Sequence, residues 1–85
     1  MEEILKEELR VLALKTRDRL EITQSKMAER FVMSETSYSD IETGTYMCGT
    51  LTTILLLQEQ DDPNEFLRKL KVKFEKMYEK EIQPV

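Results

Sequence analysis

Residues 17–44 read RDRLEITQSKMAERFVMSETSYSDIETG, and their pattern is the strongest indication of the fold. Apolar residues recur within it at three- and four-residue spacing, which is the period of an α-helix with one buried face. Two hydroxyl residues, Thr23 and Ser34, each precede such a segment and are well suited to cap the start of a helix. The pattern therefore predicts a short helix over residues 23–31 and another over residues 35–42.

Both short helices have one apolar face, and Gly44 marks the end of the later one. The side chains predicted to face the interior are Met27, Ala28, Phe31, Tyr38 and Ile41. Ala28 is expected to lie where the two helices cross, because a close crossing requires a small side chain. Gly44 is expected to close its helix, since glycine accepts the left-handed backbone conformation. The two segments are thus predicted to pack directly on each other.

The flanking segments also show helical spacing. Residues 2–20 carry apolar residues every three or four positions, and acidic residues crowd their first two turns, where negative charge suits the helix dipole. Residues 45–50 are predicted to form a loop. Residues 51–60 are predicted to form a fourth helix, although their β-branched content is also compatible with a strand. Their length and their helical neighbours favour the helix.

The last predicted helix, over residues 63–81, begins after Asp62, its expected N-cap. An apolar stripe runs along one side of it, composed of Phe66, Leu67, Leu70, Phe74, Met77 and Tyr78. The upper half of this stripe is expected to pack on the first helix through Ile4, Leu5 and Leu9. The lower half is predicted to extend past the bundle and to form a homodimer interface through Phe74, Met77 and Tyr78.

Length and charge limit the possible functions. Eighty-five residues are expected to form a single domain over residues 1–85, which excludes barrels, repeat arrays and large enzymes. Thirteen Lys and Arg residues against seventeen Asp and Glu residues give a net charge of −4. This sign does not favour a protein whose main function is to bind nucleic-acid phosphates, because phosphates are negatively charged as well.

Catalysis and metal binding are not expected. The chain has no His, and therefore lacks the commonest general base and the commonest metal ligand. Cys48, its single cysteine, cannot form an intramolecular disulfide and is expected to be a packing residue. The longest apolar run, residues 54–57, is too short for a membrane span, which needs about 20 apolar residues. We therefore expect a cytoplasmic protein that is not an enzyme and carries no cofactor or metal.

Residues 17–44 also resemble a known family, the Cro-like phage-repressor helix-turn-helix proteins of the XRE type, which bind DNA. The matching positions are Arg17, Ile22, Thr23, Gln24, Met27, Ala28, Ser34, Ile41, Glu42 and Gly44. The resemblance covers a third of the chain closely and its helical surroundings loosely. It implies an all-α, five-helix lambda-repressor-like bundle whose second and third helices form the helix-turn-helix, with the third helix, residues 35–42, in the major groove.

The resemblance also implies which residues would touch DNA. They are Gln24, Lys26, Arg30, Ser34, Glu35, Thr36, Ser37 and Asp40. Gln24 would reach a phosphate, whereas the start of the third helix would read base edges. The third helix departs from the residue types that read bases best, Arg and Gln. A carboxylate at Glu35 or Asp40 can only accept from cytosine N4, and phosphates repel it.

Two further positions carry structural expectations. Val32 stands where the turn of the resembled proteins has glycine, and a β-branched residue costs free energy wherever φ is positive. Either the turn has a different backbone conformation from that of the resembled proteins, or Val32 adopts a positive φ and the protein is less stable for it. Glu42 is expected to pair with Arg17 and so to form a strut between the first and third helices.

Two functions are left open. The first is a sequence-specific transcriptional regulator of repressor-like type, a cytoplasmic homodimer that binds double-stranded DNA. The alternative is a protein–protein interaction module on the same fold, with weak or no DNA binding, which docks a protein partner through its third or fifth helix. The matching residues favour the first function, and the acidic charge favours the second.

Overall fold

A computed structural model describes the backbone of residues 2–82 and the side chains of residues 3–79. The described residues form five α-helices and contain no strand. These helices are α1 (Glu2–Leu20), α2 (Gln24–Arg30), α3 (Glu35–Thr43), α4 (Thr50–Gln58) and α5 (Pro63–Ile82). The prediction of an all-α protein is therefore confirmed. The segment that was also compatible with a strand is helical and ends two residues earlier than its pattern predicts.

Local hydrogen bonds define the ends of the two short helices. The Thr23 hydroxyl accepts a hydrogen bond from the backbone N–H of Lys26 at 3.2 Å, and the Ser34 hydroxyl accepts one from the backbone N–H of Ser37 at 3.1 Å. Gly44 closes α3 in the left-handed region, at φ 80°. All three predicted caps are confirmed, because each depends on residues within one helical turn.

The turn between α2 and α3 accepts backbone strain. Val32 lies at φ 55°, in the left-handed region, and its side chain is 83% exposed. The chain is held on both sides of it, since the N–H of Phe31 donates to the carbonyl oxygen of Met27 at 3.2 Å and the N–H of Met33 donates to that of Ala28 at 3.0 Å. A non-glycine residue in this conformation costs roughly 1–2 kcal/mol. The turn therefore keeps its tight geometry at the expense of stability.

The core lies where α1 meets α2, α3 and α4. Its buried apolar residues are Leu9, Ala13, Met27, Ala28, Phe31, Tyr38, Ile41, Cys48 and Leu56. Every residue predicted to face the interior on α2 and α3 is among them. Phe31 and Tyr38 pack with their ring centroids 6.2 Å apart, which joins the end of α2 to the middle of α3. Cys48 is buried and free, as expected of a packing residue.

α5 packs along α1 in the opposite direction. Phe66, near the start of α5, packs against the core and lines a small cavity with Leu12 of α1. Two turns further along, Lys73 forms an ion pair with Glu8. Phe66 therefore packs on α1, beside Leu12, whereas Leu67 of the same half is 45% exposed. Lys73 and Lys76, in the lower half of α5, lie beside Glu3 and Ile4 in the first turns of α1.

Candidate nucleic-acid interface

A network of charged and polar side chains joins α1, α2 and α3. Glu42, on the inner side of α3, is only 5% exposed. Its carboxylate accepts hydrogen bonds from Arg17 Nε at 2.7 Å, from Arg17 Nη2 at 3.2 Å and from Gln24 Nε2 at 2.9 Å. Arg17 also donates from Nη1 to the carbonyl oxygen of Ile22 at 3.2 Å. The predicted pair of Arg17 and Glu42 is confirmed, and we call Arg17, Gln24 and Glu42 the Glu42 network.

The Glu42 network keeps its carboxylate charged although it is buried. Burial alone raises the pKa of Glu42, but hydrogen bonds from Arg17 and Gln24 help to outweigh that effect and hold the pKa below its ordinary value. The hydrogen bond to Glu42 raises the pKa of Arg17. Burial is also the main reason that the pKa of Tyr38 is raised. A buried ion pair that remains charged at neutral pH therefore anchors α3.

Gln24, the predicted phosphate contact, is engaged inside the molecule. It is half-buried at the first position of α2, and its amide nitrogen donates to Glu42, 18 positions further along the chain. A phosphate contact from this nitrogen would require it to exchange the carboxylate for the phosphate. Sequence reasoning did not foresee this internal role, because helical spacing identifies a face and not a partner on another helix.

The first two turns of α3 present a polar surface. Glu35, Thr36 and Ser37 are exposed, and Asp40 is half-exposed. Glu35, Thr36 and Asp40 line, together with Gln24, one shallow pocket of about 260 Å³. The structure therefore brings four of the predicted DNA-contacting residues to one place. We call Glu35, Thr36, Ser37 and Asp40 the α3 surface.

The two predicted basic contacts lie outside this pocket, and both are paired with carboxylates. Lys26 Nζ lies 3.2 Å from a carboxylate oxygen of Glu29 on the same helix. Arg30 Nη2 lies 2.9 Å from both carboxylate oxygens of Glu59, just after α4. Among residues 3–79, no ion pair joins Glu35 or Asp40 to a basic side chain. The α3 surface itself is therefore acidic.

The three residues predicted to form a dimer interface differ in their exposure. Phe74 and Met77 are half-buried, and Tyr78 is exposed. Charged residues surround them on α5, where Lys71 and Glu75 form an ion pair at 3.9 Å. A homodimer interface through Phe74, Met77 and Tyr78 stays a prediction.

An apolar surface that the helical pattern did not single out lies on α4 and in the loop before it. Tyr46, Met47, Leu51 and Ile54 are all exposed there, and we call these four residues the α4 surface. A signal was present in the sequence, since residues 43–58 contain no charged residue in a chain that is 35% charged. Helical spacing misses such a surface, because a helix with apolar residues on several sides has no single predicted inner face.

Comparison of the chain with protein-family models, with curated proteins and with solved structures gives no match. Within residues 2–82, none of the helices combines the length and the apolar character needed to cross a membrane. The described side chains include no group of three or more His, Cys, Asp or Glu residues that could hold a metal ion. Three features of the described residues bear on function: the α3 surface, the α4 surface and the Glu42 network.

Proposed function

We propose that this protein is a sequence-specific, DNA-binding transcriptional regulator that acts in the cytoplasm. In this proposal α2 and α3 are the helix-turn-helix of a five-helix lambda-repressor-like bundle, and α3 enters the major groove of double-stranded DNA. The observation that carries the proposal is the Glu42 network. It ties the inner side of α3 to α1 and α2 by three hydrogen bonds, while the outer side of the helix stays exposed.

A helix that reads bases must be held firmly and must present side chains able to contact them. Tyr38, Ile41 and Glu42 hold the inner side of α3 in the interior. On the outer side, the Thr36 hydroxyl can donate to or accept from a base, and its methyl group can contact the methyl group of thymine. Glu35 suits only a donor such as cytosine N4. This set of side chains supports modest affinity with preference among sequences.

Phosphate contacts in this proposal come from Lys26 and Arg30. Both side chains are exposed and already form ion pairs with Glu29 and Glu59. Exposed ion pairs contribute only about 0–1 kcal/mol each, so exchanging a carboxylate for a phosphate costs little. Because phosphates repel the acidic α3 surface, binding is expected to be weak and to depend steeply on salt.

Titration with mixed-sequence duplex DNA at two salt concentrations tests the proposal. Affinity should fall steeply as salt rises, because each neutralised phosphate releases counterions. The pair of changes Lys26→Gln and Arg30→Gln should weaken binding to all sequences and reduce the salt slope by about one for each phosphate that is no longer neutralised. The matched control, Lys69→Gln with Lys71→Gln on α5, should leave both unchanged. A flat salt response would contradict the proposal.

Sequence preference needs a separate measurement, made by selection from a random duplex library. Thr36→Ala should alter the preferred sequence, because base contacts specify and phosphate contacts only position the protein. The change Lys26→Gln should leave the preferred sequence unchanged. An identical preferred sequence for wild type and Thr36→Ala would show that α3 does not read the bases.

A second candidate function is a protein–protein interaction module on the same fold. The observation in its favour is the acidic character of the α3 surface, where Glu35 and Asp40 have no basic partner among residues 3–79. A partner that presents Arg or Lys would complement it. Absence of DNA binding at low salt, together with binding of a basic peptide that Glu35→Gln weakens, would support this function instead.

A further inference from the structure

The outer side of α3 offers hydrogen-bond acceptors and has no basic residue near it in the sequence. The side chains that line its shallow pocket are Gln24, Glu35, Thr36, Ser39 and Asp40. Residues 31–67, which include all of α3 and α4, contain no Lys and no Arg. Lys and Arg are the side chains that bind O6 and N7 of guanine in the major groove. No residue of α3 can therefore read guanine in this way.

The chemistry of a carboxylate limits which base it can read. An ionised carboxylate accepts hydrogen bonds and donates none. In the major groove only N4 of cytosine and N6 of adenine are donors. Adenine has the acceptor N7 beside N6, and two acceptors repel each other, whereas cytosine has a C–H group beside N4. Glu35 and Asp40 therefore match cytosine better than any other base.

The two carboxylates of the α3 surface are not engaged elsewhere. Among residues 3–79, no basic side chain forms an ion pair with Glu35 or Asp40. Gln24 differs, because its amide nitrogen already donates to Glu42 at 2.9 Å. A base that approaches α3 can thus bond to Glu35 and Asp40 without first breaking an internal ion pair.

The backbone beneath both carboxylates is held by local hydrogen bonds. Ser34, the N-cap just before Glu35, accepts from the backbone N–H of Ser37 at 3.1 Å. The carbonyl oxygen of Asp40 accepts from the backbone N–H of Thr45 at 2.9 Å. Both side chains therefore project from fixed points of α3, which a contact with one particular base requires.

The spacing of Glu35 and Asp40 relates them to particular base pairs. They lie five positions apart, and a helix rises about 1.5 Å per residue, so they are separated by about 7.5 Å along the axis. Stacked base pairs are about 3.4 Å apart. For a helix that lies along the major groove, the two carboxylates therefore reach base pairs about two steps apart. Thr36 lies between them on the same pocket.

We infer that Glu35 and Asp40 each read a cytosine, in two C·G pairs about two base steps apart. Each carboxylate accepts a hydrogen bond from N4 of its cytosine, and Thr36 faces the base pair between them. The guanine of each pair is not contacted, because residues 31–67 provide no cation for it. This inference rests on the proposed function and adds to it the class of DNA sequence that the protein binds.

Selection from a random duplex library at low salt tests the inference with the full chain. Wild type should enrich two C·G pairs about two steps apart. Glu35→Gln should change the preferred base at one of them from cytosine to adenine, because an amide pairs with both N6 and N7 of adenine. Asp40→Asn should do the same at the other position. Circular dichroism should show wild-type helix content for both variants, since neither side chain is buried.

Asp18→Asn is the matched control, because it makes the same change from carboxylate to amide at an exposed position of α1. It also removes one negative charge, so any general gain in affinity for DNA phosphates should appear in the control as well. The preferred sequence should nevertheless stay that of wild type. A change of preferred base in Asp18→Asn would show that charge alone alters the selection, and would overturn the assignment of Glu35 and Asp40.

Modified bases give a second readout that leaves the protein unchanged. N4-methylcytosine in the two selected pairs replaces the N–H that faces the groove by a methyl group, and should weaken wild-type binding by at least about 10-fold. Replacing the guanines of the same pairs by 7-deazaguanine removes N7 and should have no effect. The reverse result would show that the pairs are read through guanine, and would overturn the inference.

The outcomes separate this inference from the proposed function. Salt-dependent DNA binding without enrichment of cytosine, or with an unchanged preferred base in both Glu35→Gln and Asp40→Asn, would overturn the inference and leave the proposed function standing. Absence of DNA binding at low salt would contradict both. Binding of a basic peptide that Glu35→Gln weakens would then assign the same carboxylates to a protein partner.

Discussion

α3 and α4 are both nine-residue helices with one side against the core, yet their outer sides differ completely. The outer side of α3 carries Glu35, Thr36 and Ser37, which water solvates well. The outer side of α4 carries Leu51 and Ile54, which water solvates poorly. A polar outer side can stay exposed without a free-energy cost, because water forms hydrogen bonds with it. Covering an apolar outer side lowers the free energy by roughly 25 cal/mol for each Å² removed from water.

The inner sides of the two helices also differ. α3 is held by the Glu42 network, in which one buried carboxylate accepts hydrogen bonds from Arg17 and Gln24. α4 itself is held mainly by packing, with Leu56 fully buried, and its side-chain bonds to other helices come from Glu59 and Gln60, just after its last residue. Directional bonds define one orientation of a helix, whereas apolar packing tolerates small shifts. This difference suits a helix that reads a ligand and a helix that associates with another apolar surface.

The largest expected effect is on the inner side of α3. Arg17→Met should lower the free energy of unfolding by about 3 kcal/mol, because it leaves Glu42 buried without its counter-ion. Urea denaturation measures this change. Arg30→Met, which breaks the exposed pair with Glu59, is the matched control and should cost less than about 1 kcal/mol. Equal losses for the two variants would show that the buried pair does not anchor α3 more strongly than a surface pair does.

The next effect concerns the packing of α3 on α2. Ala28→Leu should lower the free energy of unfolding by about 1–3 kcal/mol, since Ala28 is buried at the junction of the two helices and extra methylenes overpack it. Thermal unfolding followed by circular dichroism measures the loss. Ser25→Leu, at an exposed position of α2, is a control that should leave the midpoint nearly unchanged. An unchanged midpoint for Ala28→Leu would mean that the helices do not pack closely there.

Acid should weaken the anchoring of α3, because the buried Glu42 that anchors it is a titrating group. The pKa of Glu42 is lowered in the folded protein. The stability that this shift contributes is therefore present above about pH 4.3, the ordinary value for Glu, and is lost as the pH falls through the lowered value. The stability difference between wild type and Glu42→Gln should shrink across that range in urea titrations. A difference that grows on acidification would contradict the assigned direction.

The smallest effect is expected in the turn that leads into α3. Val32→Gly should raise the free energy of unfolding by about 0.5–1 kcal/mol, because relief of the left-handed strain exceeds the entropy that glycine adds to the unfolded chain. Glu21→Gly is the matched comparison, since Glu21 also lies at φ 55°. Midpoints of urea unfolding should rise for both. A loss of stability in Val32→Gly would show that its exposed side chain makes a stabilising contact.

Features that depend on neighbours within one helical turn could be predicted from the amino-acid sequence. The caps at Thr23, Ser34 and Gly44 are of this kind, because a hydroxyl or a glycine acts on backbone groups no more than three or four positions away. Helical spacing likewise identified the buried residues of α2 and α3. The pair of Arg17 and Glu42 was predicted across 25 positions only because the surrounding residues resemble a known pattern.

Features that depend on which helices lie beside each other became visible only in the packed structure. It placed the amide of Gln24 on Glu42 and the guanidinium of Arg30 on Glu59, 29 positions away. It also decided which side of α4 is covered, since Leu51, Ile54 and Leu56 are equally apolar and spacing alone does not rank them. Burial and ion pairing between distant residues depend on which helices are neighbours, and the helices become neighbours only when they pack.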